Sequence, residues 1–127
     1  MLKLTLRVDA GGAHLLGPGK VRLLEAIERT GSISAAGRAL GMSYRRAWLL
    51  VDELNRLFRE RVVATQHGGP RGGGAGLTPF GRRLIDLYRD MERTAQAAAA
   101  AQLRALEAAL ADPPGADAEA EAREGGG

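Results

Sequence analysis

Gly31-Ser-Ile-Ser-Ala-Ala-Gly-Arg-Ala-Leu-Gly-Met-Ser-Tyr-Arg-Arg-Ala-Trp48 decides how this chain is read. Ser34 is a good N-cap, because its hydroxyl can accept from an orphan N–H in the next turn, and Ile33, Ala36 and Leu40 then form an inward stripe. Gly41 suits the left-handed position that closes such a helix. Ser43 caps a second helix running through about Phe58, in which Ala47, Val51, Leu54 and Phe58 fall within one narrow arc at about 100° per residue. Arg45, Leu49, Asp52 and Arg56 point roughly the other way. Two short helices around a tight turn, with arginines opening the second, are the layout of a DNA-reading helix-turn-helix.

Upstream, Val21, Leu23, Leu24 and Ile27 have helical spacing between Lys20 and Arg29, and Thr30-Gly31 supplies the stop of a supporting helix. Before it, Leu2, Leu4, Leu6 and Val8 alternate with Lys3, Thr5, Arg7 and Asp9, which predicts a strand with one buried face. Gly11-Gly12 and Gly17-Pro18-Gly19 punctuate the segment between them.

Downstream, Val62 to His67 reads as a strand, Gly68 to Gly76 as a loop with six glycines, and Leu77 as the start of a short return strand. Strand, glycine-rich tip and strand after a recognition helix make a wing. Thr78-Pro79 announces a last helix, since threonine caps well and proline at the first position gives up an N–H that would be unpaired anyway. Leu84, Leu87, Tyr88, Met91, Ala95 and Ala98 make its apolar stripe, extended by Leu103, Leu106 and Leu110. A helix of about 30 residues is long for so small a core, so part of the stripe needs a partner, and a homodimer through this helix is expected.

The chain therefore divides into a winged helix-turn-helix over residues 1–78, a long dimerisation helix over 79–111 and a disordered acidic Ala/Glu/Gly tail over 112–127. The expected fold class is mainly α with a small β wing.

Composition narrows the function. The 127 residues suit one small domain, and with few aromatics its core is mostly Leu, Val and Ala. The net charge of +3 conceals an asymmetry: residues 112–127 hold five acids and one base, leaving 17 bases and 10 acids, or +7, on residues 1–111. That surplus is an electrostatic footprint for a polyanion. Without cysteine there is no disulfide, thiolate metal site or cysteine nucleophile. The charged N-terminus does not resemble a signal peptide, and no window approaches the roughly 18 apolar residues of a membrane span, so a cytoplasmic protein is expected. A phosphate-cradling loop would need glycine at position 14 and Ser or Thr at 21, where His14 and Val21 stand. His14 and His67 are far apart with no nearby acid pair. No catalytic residue, metal or cofactor is expected, and the chain does not read as an enzyme.

The quoted stretch resembles a known family when taken with Gly72-Gly-Gly-Ala75, Leu77-Thr78, Gly81, Leu84-Ile85 and Leu87-Tyr88. Over about residues 1 to 105 the chain is similar to the N-terminal DNA-binding domain of the molybdate-responsive (ModE-type) transcriptional regulators. The resemblance implies a winged helix-turn-helix related to the LysR-type domain, dimerisation through the N-terminal strand region and the last helix, and palindromic operators. It also implies a departure: full regulators of this type carry C-terminal molybdate-binding domains, for which the acidic tail stands here, so any molybdate-sensing partner would be separate.

Candidate DNA-binding residues follow from position. Arg45 and Arg46 open the recognition helix, where a guanidinium can reach guanine O6/N7 or clamp a phosphate. Two bases at a helix start, where the dipole favours acids, ask for an external anion. Tyr44 can reach a phosphate or a thymine methyl, or pack; Ser43 caps; Ser32 and Ser34 can offer a helix N-terminus to a phosphate, or cap alone. Arg71 in the wing, with His67 nearby, can enter a minor groove or lie along the backbone. Trp48, about 90° from the core arc, reads as a brace between helix and wing. The expectation is a dimeric, sequence-specific transcriptional regulator on duplex DNA. Its rivals are a winged helix that docks a protein partner and a DNA-binding domain that also senses an oxyanion at the glycine-rich nest.

Overall fold

A computed structural model of the chain describes residues 1–66 and 74–112. In order, the elements are β1 (Val8–Ala10), β2 (Ala13–Leu16), α1 (Pro18–Thr30), α2 (Ile33–Ala39), α3 (Tyr44–Leu57), β3 (Val63–Gln66), β4 (Gly74–Leu77), α4 (Pro79–Ala98) and α5 (Ala100–Ala108). They fall into two compact units, Leu6–Met91 and a smaller one made of Met1–Thr5 with the chain from Glu92 onward.

The larger unit is a winged helix-turn-helix. Its core joins Val21, Leu23, Leu24 and Ile27 of α1, Ile33 and Ala36 of α2, Ala47, Val51 and Leu54 of α3, Val62 and Val63, and Leu84, Ile85 and Tyr88 of α4. For α1, α2 and α3 the apolar arcs expected from helical spacing are thus the faces turned to the core, with Leu40 and Phe58 half-buried at its edge. Tyr88, the largest fully buried side chain, donates from its hydroxyl to the Leu6 carbonyl at 2.9 Å, so its one polar group is satisfied inside the core. Arg89 binds Glu25 through both Nε and a terminal nitrogen, the latter at 2.6 Å, tying α4 to α1.

The first strand departs from the expected one. Burial alternates along Leu2–Val8 as the period-two pattern requires, yet pairing begins only at Val8, where β1 turns through Gly11 (φ 58°) into β2. A strand needs a neighbour, and Leu2 and Leu4 have a side chain instead: Gln96 Nε2 donates to the Leu2 carbonyl at 2.8 Å and Leu4 N–H donates to Gln96 Oε1 at 2.9 Å. Lys20, only 3% exposed, donates to the carbonyls of His14 and Leu15 and pairs with Glu53 at 3.0 Å. The end of the β1–β2 hairpin is thereby fixed to α3.

The last helical segment is divided. The hydrogen-bond ladder passes through Ala99, which accepts from Leu103 N–H at 2.9 Å, but Ala99 itself (φ −95°, ψ 10°) separates α4 from α5. Its apolar stripe is also divided: Leu84 and Tyr88 are in the core, whereas Leu87, Met91, Leu106 and Leu110 are exposed. Among the described residues no helix is long and apolar enough to cross a membrane.

Candidate nucleic-acid interface

Local chemistry sets each part of the helix-turn-helix in place. Gly31 (φ 72°) ends α1 and donates to the Ile27 carbonyl at 2.8 Å, a backbone conformation open to glycine. The cap of α2 is Ser32 and not Ser34. Ser32 has the extended backbone an N-cap requires and its Oγ accepts from Ala35 N–H at 3.1 Å, while Ser34 lies inside the first turn. Gly41 (φ 71°) makes the turn between α2 and α3 as expected. Gly37 lets the two helices meet, since a Cβ there would lie 3.0 Å from that of Ala47. Ser43 Oγ then accepts from Arg46 N–H at 3.1 Å and starts α3.

This places Tyr44, Arg45 and Arg46 in the first turn of α3, all exposed. Among the described residues neither arginine has an ion-pair partner, whereas Arg56, three turns later, pairs with Asp52 at 3.3 Å. The cationic end of α3 is therefore its N-terminus, where unpaired N–H groups add partial positive charge. Arg45 shares the outer face of α3 with Leu49, an apolar side chain that is 54% exposed.

The wing stands beside this end of α3. β3 and β4 pair antiparallel with Val63 opposite Leu77 and Gln66 opposite Gly74, so the glycines at 74 and 76 belong to the return strand and not to the loop. β4 is fastened to the helix-turn-helix where Ala75 N–H donates to the Gly31 carbonyl at 2.9 Å. At its other end Thr78 N–H donates to the Val62 carbonyl at 3.0 Å, and Thr78 Oγ1 accepts from Gly81 N–H as the cap of α4.

Between wing and helices lies a cleft of about 240 Å³. Ser32, Ile33 and Ser34 of α2 and its cap form one wall, Tyr44 and Trp48 of α3 another, and Thr65, Gln66, Gly74 and Ala75 of the wing the third. Tyr44 and Trp48 meet edge to face at 6.2 Å, and both line the cleft between the helices and the wing. Among the described residues no carboxylate lines the cleft, while hydroxyl, phenol, indole and amide donors do. Such a lining suits an anionic or polar backbone and offers nothing that would repel one.

The structure thus brings Ser32, Ser34 and Tyr44 to the walls of one cleft, while Ser43, Arg45 and Arg46 stand exposed at the start of α3. Arg71 and His67 lie outside the described residues. Thr65 and Gln66 were not singled out from sequence, because a four-residue strand flanked by glycines does not reveal which side of it meets a helix. Their position depends on the pairing of β3 with β4 and on the bonds that tie the wing to the helices. Among the described residues no group of three or more His, Asp or Glu is placed to hold a metal ion. The smaller unit contains a mainly apolar groove of about 610 Å³, lined by Leu2, Ala97, Ala100 and Leu103 with Arg93, Arg104 and Glu107 among its polar residues.

Comparison with known proteins agrees with this geometry. Residues 19–82 match the bacterial regulatory helix-turn-helix protein family, lysR family. The chain is 42% identical over 98 residues to the molybdenum transport protein ModE of Azotobacter vinelandii, covering 77% of this chain and 36% of the relative. It is 44% identical over 71 residues to the DNA-binding transcriptional dual regulator ModE of Escherichia coli K12, covering 56% of this chain and 27% of the relative. The chain therefore spans about a third of the length of the curated relatives it matches. Among solved structures, the full-length LysR-type regulator LysG of Corynebacterium glutamicum superposes with a TM-score of 0.52 at 27% identity, over 76% of this chain and 31% of that one.

Proposed function

Because the chain belongs to the lysR family of bacterial regulatory helix-turn-helix proteins and carries a DNA-binding domain of ModE type, we propose that it regulates transcription by binding a specific duplex operator. One observation carries this: among the described residues, Arg45 and Arg46 stand exposed and without ion-pair partners at the N-terminus of α3, and no carboxylate lines the cleft beside them. Phosphate contacts from the basic surface supply most of the affinity, and Arg45 with Tyr44 and Leu49 contributes sequence preference. Ser32, Ser34, Ser43 and Arg46 serve the sugar–phosphate backbone, and Arg71, outside the described residues, joins them in this reading. The protein acts by binding and not by catalysis, where the bacterial chromosome is, in the cytoplasm.

Two copies bind a palindrome. The support is the apolar surface left on α4 and α5, where Leu87, Met91, Leu106 and Leu110 are each more than a third exposed. Residues 1–78 form the reading head in this scheme and the helices that follow join the copies. The Azotobacter relative, a molybdenum transport protein by name, points to molybdenum handling as the process in which the regulated genes serve.

Fluorescence anisotropy on duplexes selected from a random pool tests the proposal. The expected result is a palindromic consensus whose log affinity falls with log salt by about 0.9 per phosphate neutralised. Absence of binding, or binding that ignores salt and sequence, would sink it and leave a winged helix that docks protein.

A further inference from the structure

The exposed arginines do not explain why the cleft keeps its shape. The wing contributes one of its three walls, and β3 and β4 are a two-stranded ribbon, an arrangement of marginal stability by itself. Ala75 ties β4 to Gly31, and the β3 side needs its own hold on α3.

Asn55, in the last turn of α3, does so. Its Oδ1 accepts from the N–H groups of Val62 at 2.8 Å and Val63 at 3.1 Å, and its Nδ2 donates to the Val63 carbonyl at 3.1 Å. Among the described residues every hydrogen bond between α3 and the start of the wing runs through this one side chain. Val62 and Val63 are fully buried, so no water would replace the amide. The residue type is also dictated. Two N–H groups and a carbonyl must be met from one side, and only a planar amide offers acceptor and donor together at this length.

We propose that Asn55 is the positioning residue of the interface. By fixing Val62 and Val63 to α3, it sets where Thr65 and Gln66 stand across from Tyr44 and Trp48, and so the width of the cleft that receives one phosphodiester strand of a duplex. This assignment rests on the DNA-binding function proposed above. Asn55 touches no nucleic acid itself; it acts through β3. A recognition helix can keep its base contacts when the wing is released, but the backbone contacts made across the cleft are lost.

The test is a double-mutant cycle of Asn55→Ala with Gln66→Ala, read by anisotropy across a salt series on the selected duplex. Asn55→Ala alone is expected to weaken binding roughly tenfold, the scale of one hydrogen bond to a charged group. Its salt slope should be shallower by about one phosphate, and its discrimination against single base changes retained. In the Gln66→Ala background the same change should cost less than threefold, since the wall that Asn55 positions has already lost its amide donor. A lower melting temperature with affinity and salt slope unchanged for the folded protein would assign Asn55 to stability alone and overturn the proposal, as would fully additive losses. Should Asn55→Ala not fold, Asn55→Asp keeps both acceptor bonds, loses the donor to Val63, and enters the same cycle with the same criterion. Failure of the unmutated protein to bind any duplex would strike the DNA-binding function itself, before any variant is measured.

Discussion

Arg45 and Leu49, four residues apart on the outer face of α3, can be separated by the chemistry each would read. Arg45→Ala is expected to cost about 1–3 kcal/mol on the selected duplex and to relax preference at one base pair, measured on a panel of singly substituted sites. An equal loss on every sequence, with a shallower salt slope, would make Arg45 a phosphate contact. Leu49 offers only apolar surface, so its partner in the major groove is a thymine methyl. Replacing that thymine by uracil should weaken the unmutated protein about three- to fourfold, the worth of one buried methyl, and leave Leu49→Ala unaffected. If both proteins lose equally, the methyl is not met by Leu49. Both residues were legible from sequence, because an outward position on a helix follows from spacing alone. Asn55 was not: its role depends on two backbone N–H groups that only the fold brings within reach.

At the scale of elements, the joints matter more than the helices. The first turn of α4 lies against the strand connection so closely that a Cβ on Gly81 would come 2.3 Å from the Val62 carbonyl, the same oxygen that accepts from Thr78 N–H. Gly81→Ala is therefore expected to destabilise the protein by about 1–3 kcal/mol in thermal or urea unfolding, although alanine is the better helix former. A neutral or stabilising result would show that α4 can shift away from Val62 at little cost. The caps at Ser43 and Thr78 and the turn at Gly41 were readable in sequence because each is a contact within three or four residues. The shift of the α2 cap from Ser34 to Ser32 shows the limit. Two serines, two apart, both precede a helical stripe, and the extended backbone that follows Gly31 selects the first.

For the whole molecule, charge and exposed apolar surface make separate predictions. The +7 surplus on residues 1–111 should give salt-sensitive association with any duplex, on which specific binding is superimposed. The apolar side chains left exposed on α4 and α5 should instead govern assembly. Leu106→Glu, at a position 60% exposed and so tolerant of charge in a monomer, is expected to shift sedimentation from dimer to monomer. It should also lower affinity for the palindrome more than for one half-site. Unchanged sedimentation would place the dimer contact elsewhere or remove it.

The sequence by itself determined the helix-turn-helix, its arginine-opened recognition helix and the existence of a wing, because periodicity, caps and glycine turns are written in neighbours a few residues apart. Only the tertiary structure decided what those parts enclose. It ended the expected N-terminal strand where Gln96 takes the place of a neighbouring strand. It also divided one apolar stripe between core and surface, and set Thr65 and Gln66 opposite Tyr44 and Trp48. Each of these depends on a partner far away in the chain, and a side chain's spacing tells which way it faces but not what it will meet.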